Sequence, residues 1–528
     1  MTSSSHPQTV TVIGGGLAGL SAACALADSG YRVRLLERRP YVGGRASSYE
    51  HPGTGETIDN CQHVLIGRCT NLIDLYRRLG AQDAIRWYDH FTFVEPGGRR
   101  SVLQPSFLPA PLHTSLSFLR AHAFSLADKV SIARGLSAFF TGLPPDSDEN
   151  FAHWLARHGQ TEQSIRRFWH PVLVSALNED LDRLSVHYAA KVFRESFLSS
   201  ARAGQMGIPA IPLSELYGQA IAYLEARGGE VHLRTSVESI EPAESYSTRP
   251  PDLSGSAAAQ STDPSSEPGL VSGHGFSRAE NSPIPKGALA PAAATEAAET
   301  SAPSAWTIHT ANRTFHSDAI VLALSFEAAA ALLPSLPQNP AAEVLAQNLA
   351  HFEHSPITGI HLWFDREIVD LDHAVLLDST IQWLFNKSRL QPTHRGAEGS
   401  YIELVVSASK TLVPMQRQEI IDLALRELAG FFPVVNEAKL IKAAVVKEVR
   451  ATYSVVPGLD RYRPTASSPW PGIFLAGDWT ATGWPATMEG AVRSGYLAAE
   501  ALTQSTGTKQ SFLVPDLPHA GLMRLLPK

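Results

Sequence analysis

Val10-Thr11-Val12-Ile13-Gly14-Gly15-Gly16-Leu17-Ala18-Gly19 is the stretch on which the reading of this 528-residue chain turns. A short β-branched run breaks into three glycines, and Leu17 to Ala27 then keeps helical spacing. Tyr31 to Leu36 follows at strand length and ends at Glu37. Strand, glycine turn, helix and strand within about thirty residues open a doubly wound parallel sheet. Gly14, Gly16 and Gly19 have the spacing of a dinucleotide cradle. The first permits a tight turn, the second lets a pyrophosphate approach the backbone, and the third packs helix against strand. The opening amides of the helix, at Leu17 and Ala18, then face phosphate oxygens. Glu37 stands where the hydroxyls of an adenosine ribose are bound.

Two further glycine-rich units extend this reading. Gly43-Gly44-Arg45 comes directly after Glu37-Arg38, and its guanidinium suits a phosphate. More than four hundred residues later, Phe474-Leu475-Ala476-Gly477-Asp478 reads as a strand delivering an acid, and Met488-Glu489-Gly490-Ala491 starts a helix. Together these units resemble the FAD-binding amine oxidase and phytoene desaturase superfamily. The resemblance implies an α/β fold with a discontinuous Rossmann-like FAD-binding domain, at 8–95, 205–335 and 455–505. An α+β substrate domain takes 96–204 and 336–454. It further implies cofactor contacts from Gly14, Gly16, Leu17, Ala18, Gly19, Glu37, Arg38, Gly43, Gly44 and Arg45. Gly477, Asp478, Met488, Glu489 and Ala491 complete the set, with Val237 beside the adenine. No cysteine follows Cys69, so the FAD is expected to be non-covalent.

The superfamily holds several chemistries. Its amine oxidases place an aromatic residue just before Met-Glu-Gly-Ala as half of an amine cage; here Thr487 stands there, which disfavours amine oxidation. Ile58-Asp59-Asn60-Cys61-Gln62-His63-Val64-Leu65-Ile66-Gly67, Trp169-His170-Pro171 with Ala176-Leu177-Asn178, and Asp478-Trp479-Thr480 with Gly483-Trp484-Pro485 resemble the hydroxysqualene dehydroxylases. The pattern departs at Cys61, where that family has glycine. This narrower resemblance implies reduction of hydroxysqualene to squalene by reduced FAD, in bacterial hopanoid synthesis. The carbinol is allylic, so loss of water leaves a delocalised cation that a hydride quenches. Such a site needs a dry tunnel and a proton donor. His63 is the candidate donor, with Gln62 beside it. Trp169, His170, Asn178, Trp383 and Trp484 are candidate pocket residues. Two alternatives stay open: a carotenoid-type desaturase or isomerase, and a catalytically idle flavin-fold protein that binds lipid or partners.

Composition sets the remaining bounds. A net charge of −7 gives no footing for nucleic acid. Three cysteines, Cys24, Cys61 and Cys69, have no zinc-type pairing and no even count; they fit a reducing cytoplasm, and no metal is expected. Met1 to Thr9 lacks the basic and apolar regions of a signal peptide. Residues 242–304 are rich in Ala, Ser, Pro, Gly, Glu and Thr, and read as a disordered, low-complexity insertion between adjacent strands. No run is long enough to span a bilayer. The apolar helical segments from Val102 to Leu143, interspersed with Arg120, Lys129 and Arg134, suit an interfacial patch through which a thirty-carbon lipid enters. The expected setting is cytoplasmic, with peripheral contact at the inner face of the membrane.

Overall fold

The computed structural model describes residues 8–243, 306–391 and 399–525. Its organising layer is a five-stranded sheet in the order Glu230–His232, Arg32–Leu36, Thr9–Ile13, Ala319–Leu322, Ile473–Leu475, with every neighbouring pair parallel. A parallel sheet must be covered on both faces. Its central strands are accordingly buried: Val10, Val12, Val33, Leu35 and Val321 are all sealed from solvent. Helices Leu17–Asp28, Leu213–Glu225 and Met488–Ser505 share with these strands one apolar cluster.

The chain's two glycine-rich ends meet in this layer. A Cβ at Gly495 would lie 2.1 Å from Ala18 O, so helix Met488–Ser505 rests almost backbone to backbone on helix Leu17–Asp28. Ser21 Oγ donates to Val492 O across the same contact at 3.1 Å. Gly19 serves the other side of the first helix: a Cβ there would sit 1.8 Å from Gly14 O.

Above the cofactor sheet stands a seven-stranded mixed sheet, in the order Leu440–Tyr453, His354–Phe364, Ser400–Ser407, Trp383–Asn386, His373–Leu376, Phe91–Val94, Arg100–Leu103. Helix Arg417–Phe431 contributes to the apolar core on one face of this sheet. Short helices from residue 112 to 197 build an aromatic-rich core around Phe139, Phe151, Trp154, Trp169 and Phe193.

One boundary read from the sequence needs correction. Phe91–Val94, placed by the boundary at 95 in the cofactor domain, belongs to the substrate sheet, where Phe93 pairs with Val375. Glu230–His232 and Val237–Pro242 are separate strands, in different sheets. Arg234 at φ 54° turns the chain between them. Likewise Thr314–Ser317 and Ala319–Leu322 are separated at Asp318, whose carboxylate accepts from Thr9 N at 2.8 Å. Of the expected insertion, 244–304 lies outside the described residues; on its two sides Pro242 and Trp306 are antiparallel partners.

The Gly495 contact yields a stability prediction. Gly495→Val drives a side chain into the backbone of the first helix and costs at least about 1–3 kcal/mol. Thermal unfolding of the apoprotein should show a clear fall in Tm, and an unchanged Tm would contradict the packing described.

Candidate functional site

The glycine turn is locked to its neighbours by backbone contacts. Gly14 N donates to Leu36 O and Gly43 N to Gly15 O, both at 2.8 Å, and Gly16 bridges Gly43. Helix Leu17–Asp28 begins without a side-chain cap and without an acidic residue in its first turn. Uncapped amides of this kind are what a phosphate satisfies. Gly16 is open in a second sense: a Cβ there would meet nothing nearer than Gly44 Cα, at 3.9 Å. Space and unsatisfied donors coincide, which fits a pyrophosphate.

Glu37 is buried at the end of its strand, with Oε2 accepting from Gly15 N at 2.6 Å and Oε1 from Arg39 N at 2.8 Å. Arg38, expected among the cofactor contacts, is exposed, and it is Arg39 that folds back, its Nη1 donating to Gly44 O at 2.6 Å. Arg45 Nη2 pairs with Asp478 Oδ1 at 2.8 Å, which joins the N-terminal and C-terminal motifs directly. Asp478 follows the edge strand, and Gly477 N is held by Ser494 Oγ at 2.8 Å. Leu17 and Ala18 are buried in the helix, Gly44 follows Gly43 in the loop, and Ala491 N donates to Thr487 O at 3.0 Å. Val237 is half-buried at the start of its strand, opposite Thr310.

The Glu489 carboxylate is spent within the protein. Its Oε1 accepts from Asn71 N and Nδ2 and from Arg493 Nε, and its Oε2 from Leu72 N at 2.8 Å. Those amides belong to the first turn of helix Thr70–Arg78, whose own N-cap residue, Cys69, provides no side-chain bond. The carboxylate caps a neighbouring helix, and both oxygens are occupied. Thr487 is also accounted for: its Oγ1 accepts from Gly490 N at 3.1 Å and caps helix Met488–Ser505.

A cavity of about 540 Å³ starts from this motif, with Trp484, Pro485, Thr487 and Met488 in its wall. That volume lies within the roughly 300–1,000 Å³ of small-molecule sites. Its other walls are mostly apolar, with Phe91, Phe118, Phe140, Phe168, Phe197 and Phe385 among them. Trp383 and Gln62 also line it, as the sequence suggested. Three pocket candidates do not. Trp169 is fully buried in the aromatic core, with Nε1 donating to Gln160 Oε1 at 2.7 Å. Asn178 ends a helix at φ 52° and bonds Ser355 O, Thr452 Oγ1 and Ala408 N. His170 starts that helix outside the cavity wall.

His63 is ill suited to donate a proton. Its Nδ1 lies 2.7 Å from Cys61 O, and a carbonyl only accepts, so Nδ1 carries the hydrogen and Nε2 of the neutral ring is an acceptor. Burial lowers its pKa and so disfavours the imidazolium that could give a proton. It does not line the cavity.

The polar group that sequence reasoning missed lies behind Gln62. Lys387 Nζ, 1% exposed, donates to Gln62 Oε1 at 2.8 Å and Asp59 Oδ2 at 2.7 Å, and stands 3.4 Å from Glu403. Burial opposes the charge of Asp59, but Lys387 and hydrogen bonds from Ser48 and Leu213 N outweigh it and keep its pKa low. Burial pushes Glu403 up to about 7, with Lys387 offsetting only part of that rise. Asp59 stood inside a quoted motif; Lys387 and Glu403 come from separate segments of the substrate sheet region, and no local pattern announces them. Cys61 and Cys69 also reach the cavity, and burial holds both thiols protonated.

Comparison with known proteins agrees with this geometry. The family model for flavin-containing amine oxidoreductases matches residues 17–251 and 299–503. The chain belongs to that family. It is an FAD-dependent oxidoreductase with the fold of its family. A 15-cis-phytoene desaturase of Solanum lycopersicum is 26% identical over 94% of this chain and 78% of its own length. A probable zeta-carotene desaturase of Synechococcus elongatus is 25% identical over 94% and 98%. Among solved structures, an oxidoreductase from Methanosarcina mazei matches with TM-score 0.64 at 16% identity, covering 94% of this chain and all of that one. A putrescine oxidase bound to putrescine matches with TM-score 0.60 at 15% identity, covering 95% and 99%.

Two predictions follow from the site's packing. Gly16→Val should leave the fold intact, because the protein offers its Cβ no clash, yet abolish bound FAD. An unchanged Tm of the apoprotein beside a colourless purified product would bear this out. For Glu403, a pKa raised above its unfolded value means stability is greatest at low pH and is lost as pH rises toward 7. Glu403→Gln, neutral throughout, should therefore raise Tm at pH ~8 and leave it nearly unchanged at pH ~5; equal shifts at both pH values would refute the assignment.

Proposed function

We propose that the protein exchanges a hydride equivalent between FAD and an allylic carbon of a long, linear isoprenoid. The cavity carries this reading: an aromatic and aliphatic channel with the C-terminal flavin motif as part of its wall. When bound, FAD supplies the two-electron step, in either direction. The chain's own part is to hold an apolar substrate in register with that motif and to keep water away from the reacting carbon. Gln62 is the polar side chain at that wall tied to the buried charge cluster.

Two reactions use such a site. Removal of hydrogen from a polyene precursor is favoured by the relatives, whose names are those of phytoene and zeta-carotene desaturases, and carotenoid-type desaturation or isomerisation follows from them. Reductive dehydroxylation of hydroxysqualene to squalene is favoured by a different observation, the charge cluster itself. Of these groups Gln62 reaches the cavity, and a carbinol, unlike a pure hydrocarbon, offers its amide a hydroxyl to bind. In that reaction the C–O bond breaks, the hydroxyl takes up a proton and leaves as water, and the carbon receives the hydride. Lys387 holds Gln62 at the cavity wall, where the amide orients the departing hydroxyl, and the proton that hydroxyl takes up comes from solvent.

The two reactions are separated by the starting state of the flavin. Photoreduced protein is mixed anaerobically with hydroxysqualene, and oxidised protein with phytoene, while flavin absorbance and products are followed. Reoxidation with formation of squalene establishes dehydroxylation; bleaching with formation of a longer polyene establishes desaturation. A flavin unmoved by either substrate sinks the isoprenoid reading.

A further inference from the structure

We propose that one face of the molecule docks onto an anionic lipid bilayer and that the cavity opens through it. The face is assembled from the loop 104–111, helices Ser115–Arg120 and Leu126–Ser137, and the C-terminal turn Gly521–Leu525. These pieces are tied together. Ser117 Oγ bonds both backbone groups of Gln104, Lys129 Nζ donates to Leu119 O at 2.8 Å, and Leu522 N donates to Ala110 O at 2.8 Å. Met523 is fully buried as the anchor of the terminal turn.

On this scaffold large apolar side chains point outward. Phe107 is 89% exposed, Leu525 81%, Leu126 74%, Val130 61% and Leu119 60%, with Leu112 and Leu522 about half exposed. Scattered exposed leucines are ordinary, but seven such residues on linked segments are not. The same segments also wall the cavity, through Gln104, Pro105, Pro111, Leu112 and Ala133. An apolar substrate dissolved in a bilayer thus reaches the flavin motif without crossing water.

Charge selects a bilayer over an apolar protein partner. The chain carries −7 overall, yet residues 99–140 hold Arg99, Arg100, Arg120, Lys129 and Arg134 against Asp128 alone. Arg99 and Arg100 are paired with Glu95 and Asp370, and Asp128 is buried as a helix cap. Arg120, Lys129 and Arg134, with Arg524 from the terminal turn, form no ion pair among the described residues. Cations ringing an apolar surface are the pattern of an interfacial element on anionic lipid. None of the helices among the described residues is long and apolar enough to cross the bilayer, so the contact is one-sided.

This inference builds on the isoprenoid reading of the cavity, but its test reads no turnover. The purified full-length holoprotein is sedimented with phosphatidylcholine vesicles, with and without phosphatidylglycerol, over a salt series. Binding should require phosphatidylglycerol at low lipid and weaken with salt. The triple variant Arg120→Glu, Lys129→Glu, Arg134→Glu should bind roughly a hundredfold more weakly. Phe107→Asp with Leu126→Asp should lower binding at least about tenfold. All five positions are on the surface, so bound flavin and Tm should match wild type. Wild type that stays in the supernatant with both vesicle types overturns the proposal. So does a dimer in light scattering that Phe107→Asp with Leu126→Asp dissociates, since the face would then meet a second copy of the chain.

Discussion

The contact between Gly495 and Ala18 is the constraint from which the rest of this structure follows. A helix from the last tenth of the chain is pressed onto the first helix so closely that no Cβ fits between them. That contact brings the edge strand Ile473–Leu475 into the same parallel layer as Thr9–Ile13 and puts Asp478 within 2.8 Å of Arg45. Neither glycine unit forms a dinucleotide site alone. One provides uncapped amides at a helix start, and the other provides an acid and the wall of a cavity. Their union makes the substrate domain an insertion into the cofactor domain, since the chain leaves the sheet and must return to it.

The same geometry divides the interior by polarity. On one side of Gln62 lies an apolar cavity; on the other lie an ammonium and two carboxyl groups, almost fully sealed from solvent. Burying such charges is costly, and losing one partner leaves the others uncompensated. Lys387 bridges Asp59 from the cofactor side and Glu403 from the substrate sheet, so it ties the two together behind the cavity wall. Three charged side chains do not sum to zero when all are ionised. Glu403 near neutrality resolves this by holding its proton.

What the sequence revealed had a local cause. Gly14, Gly16, Gly19 and Glu37 are spaced by the turn they form, and the first helix and its flanking strands were readable from them. The C-terminal motif was readable for the same reason. What was hidden was set by tertiary context. The residues around Arg234 do not reveal that it adopts a positive φ and sends Glu230–His232 and Val237–Pro242 to separate sheets. Glu489 sits in a flavin motif but spends its oxygens on a helix that the sequence places over four hundred residues away. Trp169 and Asn178 resemble pocket residues in composition, yet one fills the aromatic core and the other closes a helix. Lys387 and Glu403 carry no motif at all; only the pairing of strands brings them to Asp59.

Thr487 shows how one position limits the chemistry of the whole cavity. Where an aromatic residue would face an amine, a hydroxyl turns inward to cap the helix, and no cation-binding surface remains at that point. The neighbouring Trp484 does line the cavity, but Arg493 lies 5.0 Å and Lys191 5.7 Å from its ring. Those cations, each paired with its own carboxylates, already occupy the electron-rich face of the indole. Selectivity within a shared fold is set here by what two side chains have already bound.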